Sequence, residues 1–125
     1  MAIAKLGPVA LDCPDNRALA EFYRAILDGG EIKGDPAEPD WVEFAAPGGQ
    51  VLAFQQSADY VPPDWPNGER GQQFHLDLEV PRAELDAAQE RVLALGAKLL
   101  DDQIGEGRWR VYADPAGHPF CLCAC

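Results

Sequence analysis

Apolar and polar residues alternate at the start of the chain, and the pattern then becomes helical. Residues 6–13 alternate, which predicts a strand. Asp15 follows as a candidate N-cap, and apolar residues then recur every three or four positions up to about Leu27, which predicts an amphipathic helix. The pair Gly29-Gly30 is expected to end that helix. Short strands are predicted next at residues 31–33, 41–45 and 50–56, with a turn at 47–49.

The second half of the chain repeats this order of elements. A strand is predicted first and a helix ended by Gly96 second, and three short strands follow. Their predicted bounds are 73–80 for the first strand, 84–95 for the helix, and 98–103, 109–113 and 119–124 for the later strands.

Two stretches of similar sequence support the repeat. The block from Trp41 to Gly49 recurs from Trp109 to Gly117 with Trp, Ala, Pro and Gly at identical spacing, and residues 8–14 resemble residues 75–81. Trp41 and Trp109 are therefore expected at equivalent positions, where they serve packing. The pattern predicts one domain, residues 1–125, with two βαβββ modules at 6–56 and 72–124.

A linker at residues 57–71 joins the modules and is rich in proline, glycine and charge. It contains Tyr60 and Trp65 in a segment that its prolines stiffen. Two interpretations stay open: the linker covers a cavity with its aromatic side chains, or Trp65 docks on a sheet edge.

The composition narrows the function classes. A formal net charge of −11 argues against nucleic acid or an anionic membrane as a partner, because both attract basic surfaces. No apolar run approaches the roughly 20 residues that span a bilayer, and the N-terminus has no signal-peptide pattern. A cytoplasmic protein with four reduced cysteines is expected.

Six short motifs spread over nearly the whole chain are characteristic together, at residues 11–15, 22–23, 62–66, 73–78, 95–97 and 114–122. Through these motifs the chain resembles the vicinal oxygen chelate superfamily, and more closely the small bacterial glyoxalase-like domains. The resemblance implies an α+β fold in which two βαβββ modules form curved mixed sheets around a central cavity. It also implies pairing of modules within one chain or across a dimer, so a homodimer is expected.

The resemblance also places the superfamily's metal ligands on this sequence. His75 stands at the ligand position of the second module's first strand, but Pro8 stands at the matching position of the first module. Cys121 replaces the last-strand glutamate, and Ala53 stands at its equivalent. We therefore expect no metal, no cofactor and no glyoxalase I activity, because a stable site usually needs three or more protein donors. A softer site with His75, Cys121 and either Gln55 or Cys123 is the alternative.

Strand alternation and the predicted cavity together give the candidate ligand-binding residues. The cysteines are alternatively a small apolar strand face, His75 a residue bonded to a neighbouring strand, and His118 a turn residue. The predicted function is metal-independent binding of a small organic ligand, of the resistance or sequestration type. The alternative is an atypical metal-dependent lyase, isomerase or dioxygenase, and no catalytic residue is identified. The predicted ligand-binding residues are His75, Asp77, Gln55, Trp65, Cys121 and Cys123.

Overall fold

A computed structural model describes residues 2, 7–71 and 74–124 of the protein. The chain divides after Tyr60 into two compact units, and this division falls within the predicted linker. The first unit contains β1 (Val9–Cys13), α1 (Asn16–Leu27), β2 (Glu31–Asp35), β3 (Glu38–Ala45) and β4 (Val51–Gln56). The second unit contains β5 (Leu76–Val80), a 3-10 turn (Arg82–Glu84), α2 (Leu85–Ala94), β6 (Lys98–Asp101), β7 (Trp109–Ala113) and β8 (Pro119–Ala124).

Each unit holds one four-stranded mixed sheet, and the strand order is the same in both. The first sheet runs β1-β4-β3-β2 and the second runs β5-β8-β7-β6. The pairs β1–β4 and β5–β8 are parallel, and the others are antiparallel. Trp41 lies opposite Gln55 on β4, and Trp109 lies opposite Cys123 at the same place in the second sheet. The predicted α+β class is therefore confirmed, with the βαβββ order in each half.

Two of the four outer strands, β2 and β6, pair irregularly. The register shifts between Gly34 and Asp35 in β2, and between Leu99 and Asp101 in β6. β6 ends at Asp101 rather than at residue 103, because the Asp101 carboxylate accepts the backbone N–H groups of Ile104 at 2.9 Å and Gln103 at 2.8 Å. These two hydrogen bonds lower the pKa of Asp101. The predicted starts of β1 and β5, residues 6 and 73, lie outside the described residues.

α1 begins where the sequence predicts it, and it ends with an unexpected residue in the left-handed conformation. The Asp15 carboxylate accepts a hydrogen bond from the Ala18 N–H at 3.0 Å. At the other end Asp28, which precedes Gly29 and Gly30, is already left-handed, with φ and ψ both 52°. The Gly29 N–H donates to the Arg24 carbonyl at 3.2 Å. Asp28 thus takes the place that glycine usually holds in this motif.

α2 ends at the equivalent place, with glycine in that position. Gly96 has φ of 107°, and its N–H donates to the Leu93 carbonyl at 3.1 Å. The Ala97 N–H donates to the Val92 carbonyl at 3.0 Å, which completes a Schellman motif. The predicted helix over 84–95 is observed as α2 with the 3-10 turn before it.

Each unit has its own apolar core between its helix and its sheet. In the first unit, Tyr23 of α1 stacks on Phe54 of β4 with ring centroids 5.9 Å apart. In the second unit, the Tyr112 hydroxyl on β7 donates to Gln89 of α2 at 2.8 Å, and its ring stacks on Phe120. Among the described residues no helix is both long enough and apolar enough to cross a bilayer.

Candidate functional site

The second sheet turns one face toward α2 and presents the candidate residues on the other. Tyr112 on β7 and Phe120 on β8 belong to the face that meets α2. Their neighbours Val111 and Cys121 therefore point the opposite way, because side chains alternate along a strand. Asp77 lies opposite Cys121 and shares that side. We call this surface of the second sheet the α2-distal face.

His75 and Asp77 form a pair at the edge of the α2-distal face. The His75 Nε2 atom lies 3.2 Å from Asp77 Oδ1, so the two form an ion pair whenever the imidazole is protonated. The ring of the linker residue Trp65 stacks on the His75 ring, with centroids 4.8 Å apart and planes 23° from parallel. The linker thus places its tryptophan at the end of the edge strand β5, directly over a predicted ligand-binding residue.

Contacts within the second unit hold Trp65 in this place. The Asp64 N–H donates to the Arg70 carbonyl at 2.6 Å, and the Arg70 guanidinium lies 3.6 Å from the Asp64 carboxylate. Pro62 packs against Gly117, where a Cβ atom would lie only 2.4 Å from the proline Cβ. The turn between β7 and β8 therefore positions the linker and, through it, Trp65.

The Cys121 thiol is buried beneath the pair. Only 2% of Cys121 is exposed. Burial raises the pKa of the Cys121 thiol to about 12, with further contributions from the nearby Asp77 carboxylate and from Cys123. The thiol is therefore protonated at neutral pH and donates a hydrogen bond to Asp77. Because the thiolate is the nucleophile, Cys121 in this state is a donor rather than a nucleophile.

The structure brings together four of the six predicted residues, namely His75, Asp77, Trp65 and Cys121. Cys123 is half-buried one pleat along β8, opposite Glu79 on β5 and Trp109 on β7. Gln55 belongs to the first unit, where its side chain is exposed on β4. Its backbone carbonyl accepts a hydrogen bond from the Cys13 thiol at 3.7 Å. Its participation in the site stays a prediction.

The residues that fix the linker were missed by the sequence analysis. Asp64 and Arg70 close the linker into a loop, and Gly117 admits Pro62, but a proline-rich segment has no periodicity from which to predict such contacts. The doubled Trp-to-Gly block did mark Gly117 as a turn residue. His118 is a turn residue as predicted, since its N–H donates to the Asp114 carboxylate at 2.9 Å.

A shallow cavity of about 240 Å³ lies in the first unit, and none of the six predicted site residues lines it. It lies between the first turn of α1 and the β2–β3 hairpin. The Asn16 side-chain amide there donates to the Pro39 carbonyl at 2.9 Å, so the amide holds the hairpin.

Comparison with known proteins places the chain in a family. The sequence profile of the glyoxalase-like domain matches residues 8–123. The chain belongs to the glyoxalase-like domain family. The predicted resemblance to the vicinal oxygen chelate superfamily is thereby confirmed. A curated relative, the anthracycline biosynthesis protein DnrV of Streptomyces peucetius, is 29% identical over 120 residues, which are 90% of this chain. The chain spans only 44% of the length of that relative.

Solved structures share this glyoxalase-like fold at low sequence identity. The fosfomycin resistance protein FosX from Listeria monocytogenes has a TM-score of 0.72 at 20% identity, with 98% of this chain and 92% of that one covered. FosX from Mesorhizobium loti gives 0.69 at 17% identity, covering 99% and 94%. The hypothetical protein SA1046 from S. aureus gives 0.69 at 20%, covering 99% and 100%. At such identities the likeness shows the fold alone.

Two of the FosX structures contain Mn(II), which raises the question of whether this chain has a comparable donor set. Donor atoms of His75, Asp77 and Cys121 lie within 4.8 Å of one another. They comprise one nitrogen, one carboxylate oxygen and one thiol that is held protonated. Manganese prefers oxygen donors, and Pro8 and Ala53 supply no side-chain donor from the first unit. The described residues therefore do not fit a hard divalent cation.

Proposed function

We propose that this glyoxalase-like protein binds a small organic molecule at the α2-distal face of its second sheet, without a metal ion. Its role would be resistance or sequestration. The observation that carries the proposal is the cluster of Trp65, His75, Asp77 and Cys121, in which a stacked aromatic pair adjoins a carboxylate and a buried thiol.

Each group in the cluster has a chemistry suited to binding rather than to bond breaking. The Trp65 ring offers a flat apolar surface, which gives large contact area for little side-chain entropy. The Asp77 carboxylate accepts hydrogen bonds, and 60% of its side chain is exposed and within reach of a ligand. Cys121 is held protonated and is not poised for attack. Ligand pockets commonly combine apolar lining with a few polar groups of this kind.

The relatives suggest the first ligands to test. FosX is named for fosfomycin resistance and DnrV for anthracycline biosynthesis, so fosfomycin and an anthracycline are the starting probes. Each would be titrated into the purified protein by calorimetry, before and after dialysis against a chelator. We expect saturable binding of an organic probe that dialysis does not change. Binding that appears only when metal is restored would contradict the proposal.

Trp65→Ala should weaken binding of such a probe by about 1–3 kcal/mol, the scale for losing a large buried apolar contact. Trp65→Phe is the matched control, because it keeps an aromatic face over His75. Thermal melts of both variants should stay close to that of the parent protein. Unchanged affinity in Trp65→Ala, or a collapsed melt, would assign Trp65 to the structural core instead.

A second candidate function is favoured by the close approach of the His75, Asp77 and Cys121 donor atoms. Zinc accepts nitrogen, oxygen and sulfur ligands, and it could displace the Cys121 proton to build an atypical metal-dependent lyase, isomerase or dioxygenase. Metal analysis of protein purified without chelator distinguishes the two candidates. One zinc ion per chain, lost in Cys121→Ser, would favour the enzyme.

We further propose that the protein is a cytoplasmic homodimer, as the superfamily resemblance suggests. Sedimentation equilibrium should then give twice the mass of one chain at micromolar concentration. A concentration-independent monomer would contradict the homodimer and leave the ligand proposal intact.

A further inference from the structure

We infer that the ligand carries a positive charge, specifically a protonated amine attached to a flat apolar ring. The inference rests on the proposed function and adds the chemical class of the ligand. The amine would lie against Asp77 and the ring against Trp65.

The charge of the α2-distal face beside Trp65 is the first argument. Asp77 and Glu79 are both exposed on β5 and point to this face, opposite Cys121 and Cys123. Among residues 7–71 and 74–124, no ion pair involves Glu79, and the recorded ion-pair partner of Asp77 is His75, which is charged only when protonated. The charged side chains of β5 itself are therefore both carboxylates.

Two arginines of the second unit pair with carboxylates other than Asp77 and Glu79. Arg70 pairs with Asp64 within the linker, and Arg110 pairs with Asp86 on the side of α2. Lys98 stands on β6, three strands from β5 and therefore roughly 14 Å away.

Arg108 has surroundings like those proposed for the amine of the ligand. Its guanidinium lies 5.1 Å from the Trp109 ring centre and 4.0 Å from the Glu106 carboxylate. A cation close to both an indole and a carboxylate thus already occurs at the start of β7. Trp65 and Asp77 offer the same two groups at the edge of β5.

The acceptor capacity of Asp77 leaves room for an amine. A carboxylate has about four lone-pair positions for hydrogen bonds. His75 and the Cys121 thiol account for two contacts, and the carboxylate is mostly exposed. An anionic ligand group would instead meet Asp77 and Glu79 with like charge. Burial is the main cause of the raised pKa of Cys121, and the charge of Asp77 adds to it.

The test uses three probes of the same shape, 2-naphthylmethylamine, 2-naphthylmethanol and 2-naphthoate, titrated by calorimetry at neutral pH. We expect the amine to bind at least about fivefold tighter than the alcohol, which corresponds to the roughly 1 kcal/mol attraction of two unit charges 4 Å apart in water. The naphthoate should bind weakest. Raising the salt concentration should shrink the difference.

Variants of the full chain assign the preference to the site. Asp77→Asn should reduce the amine-to-alcohol ratio to near one, and Glu79→Gln should reduce it in part. Asp59→Asn removes the same charge from an exposed linker position and should leave the ratio unchanged. Equal binding of amine and alcohol would overturn the cationic ligand while leaving the binding function in place. Tightest binding of the naphthoate would also overturn it, and no binding of any probe would overturn the proposed site itself.

Discussion

Replacing Gly117 by alanine tests whether the β7–β8 turn holds Trp65 in the candidate site. Gly117 has φ of 92°, where an alanine costs about 1–2 kcal/mol of folding free energy. The added Cβ would also lie 2.4 Å from the Pro62 Cβ, and such overpacking typically costs about 1–3 kcal/mol more unless the linker moves. We expect Gly117→Ala to lower the free energy of unfolding by about 2–5 kcal/mol in total. If the linker moves instead, the loss should be smaller and Trp65 should no longer stack on His75.

The repeat supplies the matched control. Gly49 occupies the equivalent turn position in the first unit, with φ of 98° and no atom within 4 Å of an added Cβ. Gly49→Ala should therefore cost only the backbone strain. Urea denaturation gives the free energy of unfolding of each variant, and the difference between them isolates the contact with Pro62.

A double-mutant cycle tests the contact between residue 117 and Pro62 directly. Pro62→Gly removes the carbon atoms that the new methyl group would meet, so it should recover the extra cost of Gly117→Ala. NMR contacts between the Trp65 and His75 rings report whether the linker has moved. Equal costs for Gly117→Ala and Gly49→Ala, with the ring contacts intact, would refute the view that this turn positions the linker.

Two further predictions concern Asp28 and Cys121. Asp28→Gly should raise the free energy of unfolding by about 1 kcal/mol, because Asp28 has the left-handed conformation that Gly96 has at the end of α2. Urea denaturation measures this change. A lower free energy of unfolding in the variant would mean that the Asp28 side chain stabilises the fold. Burial raises the pKa of Cys121 to about 12, whereas an exposed thiol has a pKa of about 8.5. The protonated Cys121 thiol therefore contributes fully to the free energy of unfolding below about pH 8.5, and this contribution falls as the pH rises toward 12. Cys121→Ala should remove this part of the alkaline loss, and identical pH profiles of unfolding free energy for both proteins would contradict the assignment.

Much of the fold was predictable because its signals are local or repeated. Alternation and capping located the strands and the start of α1, and the Trp-to-Gly blocks revealed that the order occurs twice. Ends set by side-chain contacts were not predictable in this way. β6 ends early because the Asp101 carboxylate accepts hydrogen bonds from two backbone N–H groups. The hydrophobic periodicity of the sequence does not predict these hydrogen bonds.

The site was predictable only as far as strand alternation reaches. It placed His75 and Asp77 on one face, and in the structure their side chains lie 3.2 Å apart. The stacking of Trp65 on His75 depends on Asp64, Arg70 and Gly117, which are distant in sequence and carry no shared pattern. The raised pKa of Cys121 needs burial as well as a neighbouring carboxylate, and burial is a property of the packed sheet.

The register shifts in β2 and β6 affect how copies of the protein can meet. A regular outer strand presents an even row of backbone N–H and C=O groups, onto which a strand of another molecule can add. The irregularities at Gly34/Asp35 and Leu99/Asp101 interrupt that row on two of the four outer strands. Continuous sheet extension from one molecule to the next is therefore disfavoured at these two edges, whereas β1 and β5 pair in regular register. A homodimer would have to be built from side-chain contacts or from other strands.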